Sequence, residues 1–314
     1  MLTRLAPSPT GALHLGNART FLITWLLARQ SQGRILLRIE DLDGPRIKSG
    51  ADQQAIEDLR WLGLDWDEGP TYQSPRAAVY RQAVEHLLAS GQAYPCICSR
   101  RDVNQAASAP HGQDAGPIYP GTCRGKFASI AEAERVAGHP PAVRFQVPDI
   151  TVKWMDEFHG PQQCEVAREL GDFVILKADG VAAYQLAVVL DDTASGVTHV
   201  IRGDDLLNST PRQILLHRAL QLSDKIPRYC HIPLVIGSDG RRLAKRHGDT
   251  RLAYYREQGV APGRLLALLA KWSGIPVGDS VDAQQLIKHF DLQKVPKHPI
   301  TFFPADDAWL RTKI

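Results

Sequence analysis

LTRLAPSPTGALHLGN (residues 2–17), ARTFLITWLLARQSQG (18–33) and RILLRIE (34–40) follow one another at the start of the chain, and their reading decides the fold. Residues 2–6 are apolar and short, as a strand is, and Pro7 and Pro9 stop them. Phe21, Leu22, Trp25, Leu26 and Ala28 then recur at helical spacing. Arg34–Glu40 is again an apolar run of strand length. Strand, helix and strand within about 40 residues make a βαβ unit, so the expected base is a parallel α/β sheet.

Outward from that unit, helices fit residues 50–62 and 75–90. Residues 99–121 are polar, rich in Ala, Gly and Pro, and aperiodic, which predicts an inserted loop. The sheet pattern resumes at Tyr184–Leu190 and Val197–Arg202, both expected as strands. A helix from about Thr210 to Leu222 and a last strand, Ile232–Ile236, follow. The remainder reads as helical, with Leu265, Leu266, Leu268 and Leu269 as a dense buried stretch.

The chain has 314 residues, 44% of them hydrophobic and 23% charged, which excludes a disordered or low-complexity protein. Its longest uncharged apolar stretch, Phe21–Ala28, is far short of the ~20 residues that cross a bilayer. Five cysteines do not read as a disulfide framework. A reduced, cytoplasmic enzyme without a membrane partner is the expectation. Charge is uneven: residues 1–222 carry 22 Lys/Arg against 25 Asp/Glu, and residues 223–314 carry 15 against 9. A back third with a balance of +6 suits a polyanionic partner.

Pro7–Asn17 lies between a strand and a helix, where backbone amides favour anions. Gly11 and Gly16 have P-loop spacing, but Asn17-Ala18 follows instead of Lys-Ser or Lys-Thr, so a P-loop is rejected. A lone His14 in such a turn would more often be a core histidine. Far downstream, Leu243-Ala-Lys-Arg-His247 follows a strand and a Ser-Asp-Gly turn. Alone it would be a solvated basic loop.

The remaining polar residues are more specific as a set. Arg4, Ser8, Glu40, Tyr184 and Arg202 fall at expected strand ends, where open α/β sheets bind ligands. An arginine can grip a carboxylate with a fork of two N–H groups, and Glu40 can accept from an ammonium. Two arginines and one carboxylate suit a zwitterion with an extra negative charge, and glutamate fits better than a neutral amino acid. Cys96-Ile-Cys98 and Cys123 flank the polar insertion and could offer three thiolates to one ion. Structural zinc takes four ligands. His111 and Tyr119 are both open as the fourth, while Cys164 and Cys230 read as core packing.

His14-Leu-Gly16-Asn17 resembles the HIGH signature of class I aminoacyl-tRNA synthetases, and the 243–247 loop resembles their KMSKS signature, with Ala244 in place of the usual hydroxyl residue. Together with Arg4-Leu-Ala-Pro-Ser8, Arg38-Ile-Glu40, Tyr184-Gln-Leu-Ala and Ile201-Arg202-Gly203, nearly all of the chain resembles the glutamyl-tRNA synthetase catalytic core. The resemblance implies glutamate contacts at Arg4, Ser8, Glu40, Tyr184 and Arg202, and ATP contacts at His14, Gly16, Asn17 and Lys245. His14 and Lys245 would be catalytic, and Mg²⁺ would accompany ATP. Cys-x-Cys…Tyr-x-x-x-Cys is similar to the zinc site of the truncated branch that glutamylates queuosine in tRNA(Asp), which implies Cys96, Cys98, Tyr119 and Cys123 as ligands of one structural zinc. The chain stops at Ile314, so no anticodon-binding domain is expected.

The expected architecture is a class I synthetase Rossmann-like catalytic domain (residues 1–80 and 186–235) with an inserted zinc-containing subdomain (81–185). Residues 236–314 would carry the KMSKS-like loop and a small helical region contacting the tRNA stem. The expected function is ATP-dependent activation of L-glutamate and its transfer to queuosine in tRNA(Asp), by a monomer. The alternatives are a minimal glutamyl-tRNA synthetase charging the 3′ end and a non-catalytic tRNA-binding paralogue.

Overall fold

The computed structural model describes all residues except 100, 104–117, 242, 244–247 and 313–314. Lys245 and His111 therefore lie outside the described residues, as does most of the polar segment 99–121. Strands β1 (Leu2–Leu5), β2 (Arg34–Ile39) and β3 (Glu68–Tyr72) form a parallel sheet in the order β1-β2-β3. The helix Leu15–Gln30 makes the crossover between the first two, as the opening βαβ pattern requires. It is buried around most of its circumference, with Leu15, Leu22, Ile23, Trp25 and Leu26 sealed from solvent. It packs on the sheet and on the helix Pro262–Trp272, which supplies the dense leucine stretch.

β4 (Ala93–Cys96), β5 (Ala142–Phe145) and β8 (Phe173–Leu176) form a separate antiparallel sheet. Between β5 and β8 the chain makes the hairpin β6 (Thr151–Asp156) and β7 (Gly160–Glu165), which returns to the main body. There β9 (His199–Gly203) and β10 (Arg228–Ile232) run parallel, and the order is β7-β6-β10-β9. One β6–β10 pair, Tyr229 opposite Asp156, joins the hairpin to β10.

The first sheet meets the second along β1 and β9. Thr198 N–H donates to the Leu2 carbonyl at 2.9 Å, and its Oγ1 accepts from Leu2 N–H at 2.9 Å. From β1 the chain builds outward through β2 and β3 on one side, and β9 and β10 extend the other. This reversal is a topological switch point, where an open α/β sheet leaves a crevice at its strand ends.

Two expectations are corrected. Tyr184–Leu190 is not a strand but the first part of the helix Tyr184–Ala194. Its Val188 and Val189 favour strand by type, yet a short apolar run cannot separate a strand from a buried helix. Burial of Leu186 through Val189, then of Asp191 and Asp192, extends the run past strand length and around the helix. Ile232–Ile236 is not one final strand. Pro233 has no N–H to donate and ends β10, after which β11 (Val235–Ile236) pairs in parallel with a later strand, β12 (Ile300–Thr301). Cys164 and Cys230 are both buried in the core. No helix among the described residues is long and apolar enough to cross a membrane.

Candidate active site

A cavity of about 280 Å³ opens at the β1/β9 seam. Arg4 reaches it from β1, Ser8 from the Pro7–Pro9 loop, and Glu40 from the residue after β2. Tyr184 enters from the first turn of its helix and Arg202 from β9. His14, Gly16 and Asn17, at the start of the helix Leu15–Gln30, line the same cavity. All the glutamate-contact residues expected from sequence, and all the ATP-contact residues except Lys245, thus share one wall or another of a single space.

On one wall the charges are paired. Asp192 Oδ1 accepts from Arg4 Nε at 3.3 Å and from Arg38 Nη1 at 2.6 Å, with all three side chains about 95% buried. Arg38 Nη2 reaches Glu40 Oε1 at 3.2 Å. Burial opposes ionisation of Asp192, but Arg38 and Arg4 outweigh it and hold the carboxyl below its ordinary range. Burial likewise opposes the Arg38 charge, and Asp192 and Glu40 more than offset it, so the guanidinium stays ionised. Glu40 comes out the other way: burial pushes its carboxyl up despite Arg38 and Arg4. An ammonium ligand beside Glu40 would favour its ionised form.

On the β9 side Arg202 has no counter-charge within ion-pair distance among the described residues. Its Nε donates to His231 Nε2 at 3.0 Å, Nη1 to Gln213 Oε1 at 3.0 Å, and Nη2 to Thr210 Oγ1 at 2.9 Å. Longer contacts run from Nη1 to the Tyr184 hydroxyl at 3.4 Å and from Nη2 to the Leu206 carbonyl at 3.3 Å. Every acceptor is neutral. Burial raises the Tyr184 phenol, so at neutral pH it keeps a proton to donate. The result is a buried, oriented guanidinium whose charge is left for a ligand.

His14 is the N-cap of its helix. Its Nδ1 accepts from Gly16 N–H at 3.1 Å, while Asn17 Oδ1 accepts from His14 N–H at 3.2 Å. An accepting Nδ1 leaves Nε2 as the protonated ring nitrogen. Gly16 leaves the imidazole its place, since a Cβ would come within 2.9 Å of His14 Cε1 and displace the ring. The turn that carries His14 also meets residues 250–252 through backbone. Leu15 N–H donates to Thr250 O at 3.0 Å and Leu252 N–H to Leu13 O at 2.8 Å. Leu243 lines the cavity.

The three cysteines converge as well: the sulfurs of Cys96, Cys98 and Cys123 all lie within 4.8 Å of one another. The Tyr119 hydroxyl is 3.4 Å from Cys96 Sγ and 3.6 Å from Cys98 Sγ, and it accepts from Cys123 N–H at 2.8 Å. Four donors bound tetrahedrally at ~2.3 Å would place sulfurs ~3.8 Å apart. The donor set therefore suits a thiophilic metal. Burial drives the Cys98 thiol up to about 12, which a bound cation would reverse. Arg144 closes the cluster, with Nε 3.3 Å from Cys96 Sγ and its Cζ 3.8 Å from the Tyr119 ring centroid.

Residues 1–305 match the family of class I tRNA synthetases for glutamate and glutamine, catalytic domain. The chain belongs to that family. A protein of Symbiobacterium thermophilum named glutamyl-Q tRNA(Asp) synthetase is 50% identical over 313 residues, covering 96% of each chain. One of the same name from Rhodopirellula baltica is 47% identical, covering 94% of each. A glutamate tRNA ligase from Elizabethkingia meningosepticum, solved in complex with its amino acid, superposes with a TM-score of 0.81 at 29% identity. That match covers 98% of this chain and 68% of the ligase. Within this synthetase chain, sequence reasoning missed Asp192, Asp156, His231, Gln213 and Thr210. One signal was available: paired aspartates closing the apolar run at 184–190, and a histidine inside the strand Tyr229-Cys-His-Ile232, are polar groups in apolar settings.

Proposed function

We propose that this chain activates L-glutamate with ATP and transfers it to queuosine in tRNA(Asp). The observation that carries the reading is the Arg202 guanidinium, buried in the cavity with only neutral acceptors around it. Glutamate offers a side-chain carboxylate to Arg202, and its ammonium suits Glu40. Glutamine, with a neutral amide, would leave the Arg202 charge uncompensated in a low-dielectric site. The two glutamyl-Q tRNA(Asp) synthetases named above, matched over 96% and 94% of their length, support queuosine in tRNA(Asp) as the acceptor.

In the first step the glutamate α-carboxylate oxygen attacks the α-phosphorus of Mg²⁺–ATP, and the bond to the bridging oxygen breaks to release pyrophosphate. The Nε2–H of His14 and the ammonium of Lys245 stabilise charge that grows on the phosphates, so catalysis is by position and electrostatics. In the second step a hydroxyl of the queuosine cyclopentene ring attacks the acyl carbon. AMP leaves and the hydroxyl proton passes to solvent. Zinc held by Cys96, Cys98, Tyr119 and Cys123 would be structural, tying β4 to the 119–123 segment. Metal analysis of protein purified without added metal should find about one zinc per chain, and Cys123→Ser should lose it.

The function is tested by offering labelled glutamate to tRNA(Asp) and tRNA(Glu), each with and without queuosine. Label on queuosine-containing tRNA(Asp) alone, surviving removal of the 3′ terminal nucleotides, is expected. Label on tRNA(Glu) that is lost with those nucleotides would make the protein a short charging enzyme instead.

A further inference from the structure

Behind Arg202 lies a second layer of polar groups that neither the activation nor the transfer step uses. Arg202 is a donor only, so the His231 Nε2 that faces its Nε at 3.0 Å must be an acceptor. The imidazole proton then sits on Nδ1, where Asp156 Oδ2 lies 2.6 Å away. The other carboxylate oxygen, Asp156 Oδ1, accepts backbone N–H groups from Phe158 at 3.0 Å, His159 at 2.9 Å and His231 at 3.3 Å. Those bonds fix which oxygen is left for the imidazole. Asp156 and His231 are both 0% exposed, so solvent cannot substitute for either contact.

We infer that Asp156 and His231 are positioning residues for amino-acid selection. Asp156 locks His231 in its Nδ1–H tautomer, and the bare Nε2 holds Arg202 so that its guanidinium faces the substrate's side-chain carboxylate. The inference rests on Arg202 binding that carboxylate, as proposed above. Its logic comes from the contrast with Asp192, which touches Arg4 and Arg38 directly and pairs their charge. A carboxylate in direct contact with Arg202 would compete with the ligand. Setting Asp156 one imidazole away orients the guanidinium through a neutral bond and leaves its charge to the substrate. The anchor is supplied by the end of β6, so the hairpin inserted between β5 and β8 helps set the pocket.

The decisive variant is Asp156→Asn. Its Oδ1 can keep the three backbone N–H groups, and its NH2 would then face His231 Nδ1. A donor there forces the proton to Nε2, against a second donor on Arg202; the same tautomer error follows the equivalent change in the serine protease triad. In glutamate-dependent ATP–pyrophosphate exchange, the variant should raise KM for glutamate at least tenfold, with KM for ATP and kcat within threefold of wild type. Nitrogen-15 NMR of histidine-labelled, substrate-free protein should show His231 protonated on Nδ1 in the wild type and on Nε2 in the variant.

Unchanged glutamate KM, a parallel rise in both KM values, or an Nε2–H wild-type tautomer would overturn the inference. Should Asp156→Asn fail to fold, His231→Gln and His231→Leu decide the matter. Gln can offer an oxygen to Arg202 and an amide to Asp156, so it should keep glutamate KM several-fold closer to wild type than Leu does. Equal impairment by both would count against the inference. Wild-type protein without glutamate-dependent exchange would defeat the functional reading instead, and the substrate-free NMR would still report on the tautomer.

Discussion

The two arginine walls of the cavity treat the same side chain in opposite ways. Arg4 shares Asp192 with Arg38, so its charge is met inside the protein. Arg202 is held as firmly, by His231, Gln213 and Thr210, but only through neutral groups. The first arrangement is a scaffold, because removing Asp192 leaves the buried Arg4 charge without its partner. The second is a receptor, because the missing charge must come with the ligand. Residue type does not separate the two; the partner list does.

The largest effect that would break this contrast is on Arg202 itself. Arg202→Ala should lower kcat/KM for glutamate by about 30- to 4,000-fold, the equivalent of the ~2–5 kcal/mol typical of a buried charge pair. Its melting temperature should move little by comparison. On the other wall the balance reverses. Asp192→Asn removes the counter-charge of Arg4 and leaves Arg38 with Glu40 alone, and should cost ~3–5 kcal/mol of stability, read as a lowered Tm. The sign of its pH dependence follows from the lowered carboxyl of Asp192. Its contribution is complete above the unfolded value of ~3.9 and is lost only as pH falls through the lower folded value. The gap in stability between wild type and Asp192→Asn should therefore hold from pH 7 to pH 5 and narrow below about pH 4.

Most of this contrast was out of reach of the linear sequence. The βαβ opening, His14 at a helix start, and Arg4, Ser8, Glu40 and Arg202 were legible because strand ends and glycine-rich turns mark themselves locally, whereas Tyr184 was read on a strand that is a helix. The Cys96, Cys98 and Cys123 cluster was legible through spacing. Asp192, Asp156 and His231 were not, because they sit far from Arg4 and Arg202 along the chain and meet them only through the sheet order. The misread strand at Tyr184–Leu190 hid Asp192 further, since that strand would have ended two residues before it, whereas the helix runs on through Ala194. As a helix, the segment puts Tyr184 in the cavity at one end and Asp192 beneath Arg4 more than two turns later.

A smaller effect sharpens the nucleotide side. Gly16→Ala would push a methyl toward His14 Cε1, so kcat for exchange should fall about tenfold while glutamate KM stays near wild type. The smallest expected effect concerns a buried charge that belongs to neither wall. Asp58 is fully buried, and neither of its carboxylate oxygens has a hydrogen-bond partner among the described residues; Arg256 Nη1 lies 3.6 Å from Oδ1. Burial raises its carboxyl to about 6. A raised acid favours the folded state when protonated, so its penalty is absent below about pH 4 and complete above about pH 6. Asp58→Asn should raise Tm modestly at pH 7.5 and leave it unchanged at pH 4, a unique sign among these variants.

The most direct test of the asymmetry is ATP–pyrophosphate exchange driven by glutamate or by glutamine, in wild type and in Arg202→Ala. A receptor arginine predicts strong preference for glutamate in the wild type, and loss of most of that preference when Arg202 is removed. Wild-type exchange equal for the two amino acids, or an Arg202→Ala variant that still prefers glutamate as strongly, would contradict it.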